Sequence, residues 1–350
     1  MSVRDPFPPG QRPRAVVLGC AGPRLTGEER AFLRDADPFG FILFRRNCET
    51  PDQVRALVTD LRDAAGRADA PVLIDQEGGR VARLRPPHWP AHPPARAFGA
   101  LAERDPVAGL EAARLNGRLI AGMLGALGVD VDCAPVCDVP VDGAHDVIGD
   151  RAFARDPALV AALARATAEG LIAGGVLPVV KHVPGHGRAC ADSHAELPVV
   201  DATRAELEAT DFAPFRALAD LPLAMVAHVV LNAIDPDGPA STSRAVIEGV
   251  VRGPAIGFDG LLFSDDLSMG ALTGGAGERT RAVLDAGCDV ALHCNGDMHE
   301  MKEVVAVAPP LSDAAVRRWA RARAVPGPVD AVDAAGLRAR MDALLAGAAA

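Results

Sequence analysis

The chain has 350 residues, 49% of them hydrophobic, and a formal net charge of −10. That is enough apolar material for a large core, and the acidic balance with no basic stripe argues against a nucleic-acid surface. The N-terminal MSVRDPFPPGQRPR lacks the apolar core of a signal peptide, and no apolar run approaches the roughly 20 residues of a membrane span. The seven cysteines are scattered, with no CxxC pair, which points to a reduced, cytoplasmic protein. Cys133 and Cys137 lie close together but read as buried thiols rather than metal ligands.

Short apolar runs alternate with longer amphipathic ones along the chain. Strands are expected at 15–20, 41–44, 71–75, 129–133, 177–182, 223–228, 261–265 and 288–293. Near-continuous apolar strands suit a parallel sheet covered on both faces. Helices fit between them. Thr26 with Glu29, Thr50 with Gln53 and Thr203 with Glu206 have capping-box spacing, and Pro51 falls at a first helical position. The order predicts an α/β protein with a single (β/α)8 TIM-type barrel over 1–350, closed by helices and a frayed Ala-rich tail from about 297. A doubly wound sheet is the alternative. RPPHWPAHPPARAFGA (85–100) reads as a Pro-rich loop, and the Gly-rich 270–287 makes a seventh barrel helix hard to place.

In such a barrel, chemistry gathers at the C-terminal strand ends. Ionisable residues concentrate there: Asp75; Lys181 and His182; His228; Asp265 and Asp266; His293 with Asn295. In LLFSDD, alternation puts Phe263 and Asp265 on one face, so Asp265 points into the barrel mouth and Asp266 away, as a cap. The glycine-bearing segment KHVPGHGRACADSH (181–194) sets Asp192 two residues before His194, a spacing that lets a carboxylate orient an imidazole and stabilise its cation. A zinc site built from His182, His186 and His194 is a competing reading.

The segments IDQEGGRVARL (74–84), APVCDV (134–139), IGDRAF (148–153), KHVPGHG (181–187), DSH (192–194), AMVAH (224–228) and FSDDLSM (263–269), with FILFRRN (41–47), resemble glycoside hydrolase family 3. Within it they are most similar to the bacterial cytoplasmic β-N-acetylglucosaminidases. The resemblance implies Asp265 as nucleophile and the His194–Asp192 pair as acid/base. It implies sugar ligation by Asp75, Arg83, Arg151, Lys181 and His182, with His228 lining the pocket. It further implies a retaining exo-glycosidase without a metal or other cofactor. Such an enzyme acts on N-acetylglucosamine-containing saccharides or muropeptides bearing 1,6-anhydro-N-acetylmuramic acid, in cell-wall recycling. Phosphorolysis on the same scaffold stays open, because a histidine acid, unlike a carboxylate, would not repel phosphate.

Overall fold

The computed structural model describes residues 6–8, 10–143, 145–189, 191, 193, 196–327, 329 and 333–347. Eight parallel strands close into a barrel: β1 (Arg14–Leu18), β2 (Pro38–Leu43), β3 (Val72–Ile74), β4 (Val131–Asp132), β5 (Leu177–Val183), β6 (Leu223–Val226), β7 (Leu261–Asp266) and β8 (Val290–His293). Each pairs with its neighbours in sequence, and β8 returns to β1 through Val16↔Ala291 and Leu18↔His293. All eight expected strands are present, and closure excludes the doubly wound sheet.

Strand parity divides the core in two. Val17, Leu73, Val131, Val179, Met225, Phe263 and Leu292 fill the barrel interior. Their alternates, among them Val16, Val72, Ala224, Leu262 and Ala291, pack against the outer helices. The far end of the barrel is plugged by the helix Asp313–Arg323, whose Trp319 meets Phe39 edge-on at 4.9 Å.

The helix starts follow the sequence signals. Thr26 and Thr203 form full capping boxes, and Thr50 accepts from the Gln53 amide with Pro51 at the first helical position. Three expectations need correction. The Pro-rich stretch is not loop throughout: once past Pro94 the Ala-rich chain coils into the helix Ala95–Ala102. The tail is not frayed over its length: Ala334–Gly347 is helical and lies against Pro106–Gly125, with Met341 buried. Within the Gly-rich stretch, Gly275 starts a regular seventh barrel helix, Ala276–Ala286, which carries Gly277 in its first turn and ends at Gly287. Among the described residues, no helix is long and apolar enough to cross a membrane.

Candidate active site

The C-terminal ends of the strands surround a cleft of about 180 Å³. Asp75, Glu77, Arg83, Arg151, Lys181, His182, His186, Ser193 and Asp265 supply its polar walls, and Ile42, Phe44, Val81, Met225, Met269 and Leu292 its apolar ones. The volume falls below the roughly 300–1,000 Å³ of pockets for drug-sized molecules and suits one sugar ring.

The segment after β3 builds one wall. It turns back as a small hairpin, Gln76–Gly78 against Val81–Ala82. The buried Gln76 holds the return: its amide N–H donates to Asp132, and its side-chain oxygen accepts from the amides of Arg83 and Leu84. Gly78 has φ 100°, and a Cβ there would strike the Pro93 carbonyl, so this turn needs glycine. The hairpin thereby presents Asp75, Glu77 and Arg83 to the cleft.

A buried ionic network follows. Lys181 Nζ lies 2.7 Å from both Asp75 Oδ1 and Glu77 Oε1. Arg83 reaches Asp75 Oδ2 at 2.9 Å, while Arg151 grips both oxygens of Glu77 at 2.8 and 2.9 Å. Burial, the largest single influence, pushes the Asp75 and Glu77 carboxyls up, but Lys181 together with Arg83 for Asp75 and with Arg151 for Glu77 outweighs it; both stay below the ordinary range, Glu77 at about 2. Lys181 is likewise held above its usual value: burial lowers it, and Asp75 and Glu77 more than compensate.

The strand 5 end carries the histidines. Asp138, fully buried, accepts from His182 Nδ1 at 2.7 Å and from the His186 backbone amide at 2.7 Å. The two rings lie 5.8 Å apart, and His186 Nε2 faces Ser193 Oγ at 3.2 Å. Burial drives the His186 pKa down to about 4, so its ring is neutral at neutral pH.

Asp265 continues the inward face of β7. One carboxylate oxygen accepts from the Asp266 amide at 2.8 Å. Burial raises its pKa, but the field of His182, then of His228, and the amide hydrogen bond outweigh this and hold it below the ordinary carboxylate range. Asp265 is therefore an anion facing the cavity. Asp266 binds Ser268 N at 3.0 Å, Ser268 Oγ at 2.5 Å and Cys294 N at 3.0 Å, so it caps the turn after β7 while its edge reaches the cleft wall.

Asp75, Arg83, Arg151, Lys181, His182 and Asp265 thus converge on one cavity. His228 does not join them. It is fully buried behind Asp265, with Nδ1 at Ser241 Oγ (2.7 Å) and Nε2 at the Asp266 carbonyl (3.0 Å). Parity explains the difference, because His228 continues the outward series of Ala224 and Val226. His293 and Asn295 also turn outward, both bonding Glu300. Asp192, His194 and Cys190 lie outside the described residues; the six described cysteines are free and buried. Glu77 and Asp138 were missed as site residues, although both sit inside the quoted motifs. Motif membership was the available signal.

The family model for the glycosyl hydrolase family 3 N-terminal domain matches residues 14–321. The chain belongs to glycosyl hydrolase family 3. A β-hexosaminidase of Bordetella avium is 41% identical over 328 residues, spanning 91% of each chain. One from Aromatoleum aromaticum is 43% identical over 301 residues, 84% of this chain and 83% of that one. Among solved structures, NagZ from Neisseria gonorrhoeae in complex with N-trifluoroacetyl-D-glucosamine superposes with TM-score 0.85 at 36% identity, over 97% of this chain and 99% of that one. The glycosyl hydrolase family 3 barrel thus accounts for the fold, and the converging strand-end residues lie where that fold places its chemistry.

Proposed function

We propose that this family 3 protein is a retaining exo-β-N-acetylglucosaminidase. The observation that carries the reading is the ionised Asp265 facing a one-ring cleft that Asp75, Arg83, Lys181 and His182 also line. Asp75 accepts from sugar hydroxyls, and Arg83, Arg151, Lys181 and His182 donate to them. Asp265 attacks the anomeric carbon while the glycosidic C–O bond breaks. His194, oriented by Asp192, gives its proton to the leaving oxygen. The neutral imidazole then takes a proton from water as that water attacks the anomeric carbon and the bond to Asp265 breaks, releasing the carboxylate, so two displacements restore the β configuration.

The names of the relatives and the N-acetylglucosamine analogue bound by the Neisseria protein support the sugar assignment. A pocket for one ring supports exo action, with the aglycone at the mouth. The natural substrate in this reading is a 1,6-anhydro-muropeptide recycled in the cytoplasm. Hydrolysis is favoured over phosphorolysis because Arg83, Arg151 and Lys181 are each already paired with a carboxylate.

The test compares p-nitrophenyl N-acetyl-β-glucosaminide with the β-glucoside, with and without phosphate and a chelator, and follows the first-formed anomer by NMR. Preference for the N-acetyl sugar, β product first, no glycosyl phosphate and no chelator effect are expected. Equal rates on both sugars, or α product first, overturn the reading.

A further inference from the structure

Arg80 is not among the cleft-lining residues, and its side chain is 46% exposed. It nevertheless makes an unusual set of contacts across 66 to 70 residues of sequence. Its Nε donates to Asp150 Oδ1 at 2.9 Å. One terminal nitrogen converges on three successive carbonyls, those of Asp146 (2.7 Å), Val147 (2.8 Å) and Ile148 (3.2 Å). These residues lead directly into the short 3-10 turn Gly149–Arg151, in which Gly149 has φ 45° and a Cβ would crowd the Asp146 carboxylate.

Contacts in the opposite direction are just as specific. Arg151 leaves that turn, donates to both oxygens of Glu77 on the hairpin, and returns to the Val147 carbonyl at 3.2 Å. The hairpin sends one arginine into the 146–151 segment, and the segment sends one back. Arg85 stiffens the hairpin itself, donating to the Arg80 and Ala82 carbonyls at 2.7 Å each. Val147, Ile148 and Arg151, all held by this pair of clamps, line the cleft.

We infer that Arg80, from outside the cleft, is a positioning residue for sugar recognition: it fixes the 146–151 segment so that Arg151 and its apolar neighbours form a preset wall. This rests on the functional reading above. The physical reason is directional. Three carbonyls in a row present their acceptors to one side only if the backbone is held in one conformation, and the planar guanidinium supplies donors in fixed geometry. Without it, water can satisfy the carbonyls of the exposed Asp146 and the half-buried Val147, so the fold survives, but the wall must be ordered each time a sugar binds.

The test uses the whole chain with Arg80→Ala and Arg80→Gln. Hydrogen exchange of the 146–152 amides is measured first, since it needs no activity; faster exchange confined to that segment is expected in both variants. Kinetics on p-nitrophenyl N-acetyl-β-glucosaminide should show KM raised about tenfold with kcat within about twofold, because the wall contacts the sugar before and during reaction. Arg80→Ala added to Arg151→Ala should cost clearly less than the two single effects combined, since only Val147 and Ile148 are then left to misplace. Unchanged exchange overturns the clamp. Faster exchange with wild-type KM, or an effect additive with Arg151→Ala, overturns the role in recognition. A wild-type protein inactive on this substrate would sink the functional reading instead, and the exchange result would still decide the clamp.

Discussion

The fully buried Asp138 carboxylate accepts from His182 Nδ1 at 2.7 Å. This bond fixes the proton on Nδ1 and leaves Nε2 available towards the cleft. Asp138 also takes the amides of His182 (3.3 Å) and His186 (2.7 Å), so one carboxylate shapes the whole strand 5 end. Asp138→Asn keeps the volume but removes the charge and can favour the other tautomer. We expect kcat/KM to fall about 10- to 150-fold, the loss of one hydrogen bond to a charged group at roughly 1.5–3 kcal/mol, with the melting temperature lowered modestly. Wild-type kinetics would show that the His182 tautomer does not matter.

The two neighbouring aspartates should separate cleanly. Asp265→Ala removes the only group proposed to bond to the anomeric carbon and should cost several orders of magnitude in kcat. Asp266→Ala loses hydrogen bonds to Ser268 and Cys294 and should mainly destabilise the turn after β7. Steady-state kinetics beside thermal melts would decide, and a reversed ranking would identify Asp266 as the nucleophile.

Strand parity made much of this legible. Asp75 continues the inward series of Leu73, Lys181 that of Val179, and Asp265 that of Phe263, so apolar alternation alone aims three charged groups into one cavity. The same rule, applied to AMVAH, would have turned His228 outward with Ala224 and Val226. What alternation cannot supply is pairing. Glu77 matters because Arg151 and Lys181 reach it from 74 and 104 positions away, and Asp138 because His182 meets it after 44. Such partners become neighbours only on barrel closure. The helix Ala334–Gly347 was hidden differently, since its Ala-rich sequence carries little polar–apolar contrast for a periodicity to show.

The ligands of the sugar pocket should not respond alike to truncation. Arg83→Ala leaves Asp75 still paired with Lys181, so we expect a folded enzyme that has lost about 10- to 150-fold in kcat/KM, the effect of one hydrogen bond to a charged group at roughly 1.5–3 kcal/mol. Lys181→Ala strips Asp75 and Glu77 of a shared, fully buried cation. Breaking a buried pair in this way costs about 3–5 kcal/mol, so its urea midpoint should fall markedly while that of Arg83→Ala barely moves. Equal stabilities in the two variants would show that Arg83 and Arg151 suffice to hold the carboxylates.

Acidification should destabilise the protein through its buried histidines. Burial lowers His92 and His186 to about 4 from an ordinary 6.5. Between those values the unfolded chain binds protons that the folded one refuses, so this contribution is complete above about 6.5 and is lost as pH falls towards 4. The fully buried Asp132, which burial raises well above its ordinary value, opposes the trend. His92 also joins Asn116 (2.7 Å) to Arg338 (3.3 Å) of the C-terminal helix, which its protonation would repel. Thermal melts from pH 7 to pH 4 should show a smaller acid loss in His92→Gln than in wild type. Parallel curves would remove His92 from the account.

The acid/base pair offers the sharpest kinetic signature. Asp192 and His194 flank Ser193, which lines the cleft; its carbonyl accepts from the Ala271 amide at 3.2 Å. The residue between the proposed partners is therefore tied to the segment following the nucleophile's own strand. A histidine acid must carry a proton to expel the leaving group and then lose it to activate water. Poor leaving groups depend on that proton, whereas activated aryl groups need little of it. His194→Ala should therefore slow an N-acetylglucosaminide with an alkyl or sugar aglycone far more than the p-nitrophenyl substrate. Asp192→Asn should show the same selectivity, because it removes the charge that orients and stabilises the imidazolium. If the two act as one unit, the double variant should be little worse than the worse single variant. A leaving-group dependence unaltered in His194→Ala would transfer the proton to another group. His182 is then the candidate, since it lines the same cavity and the ring of His186 is held neutral by burial.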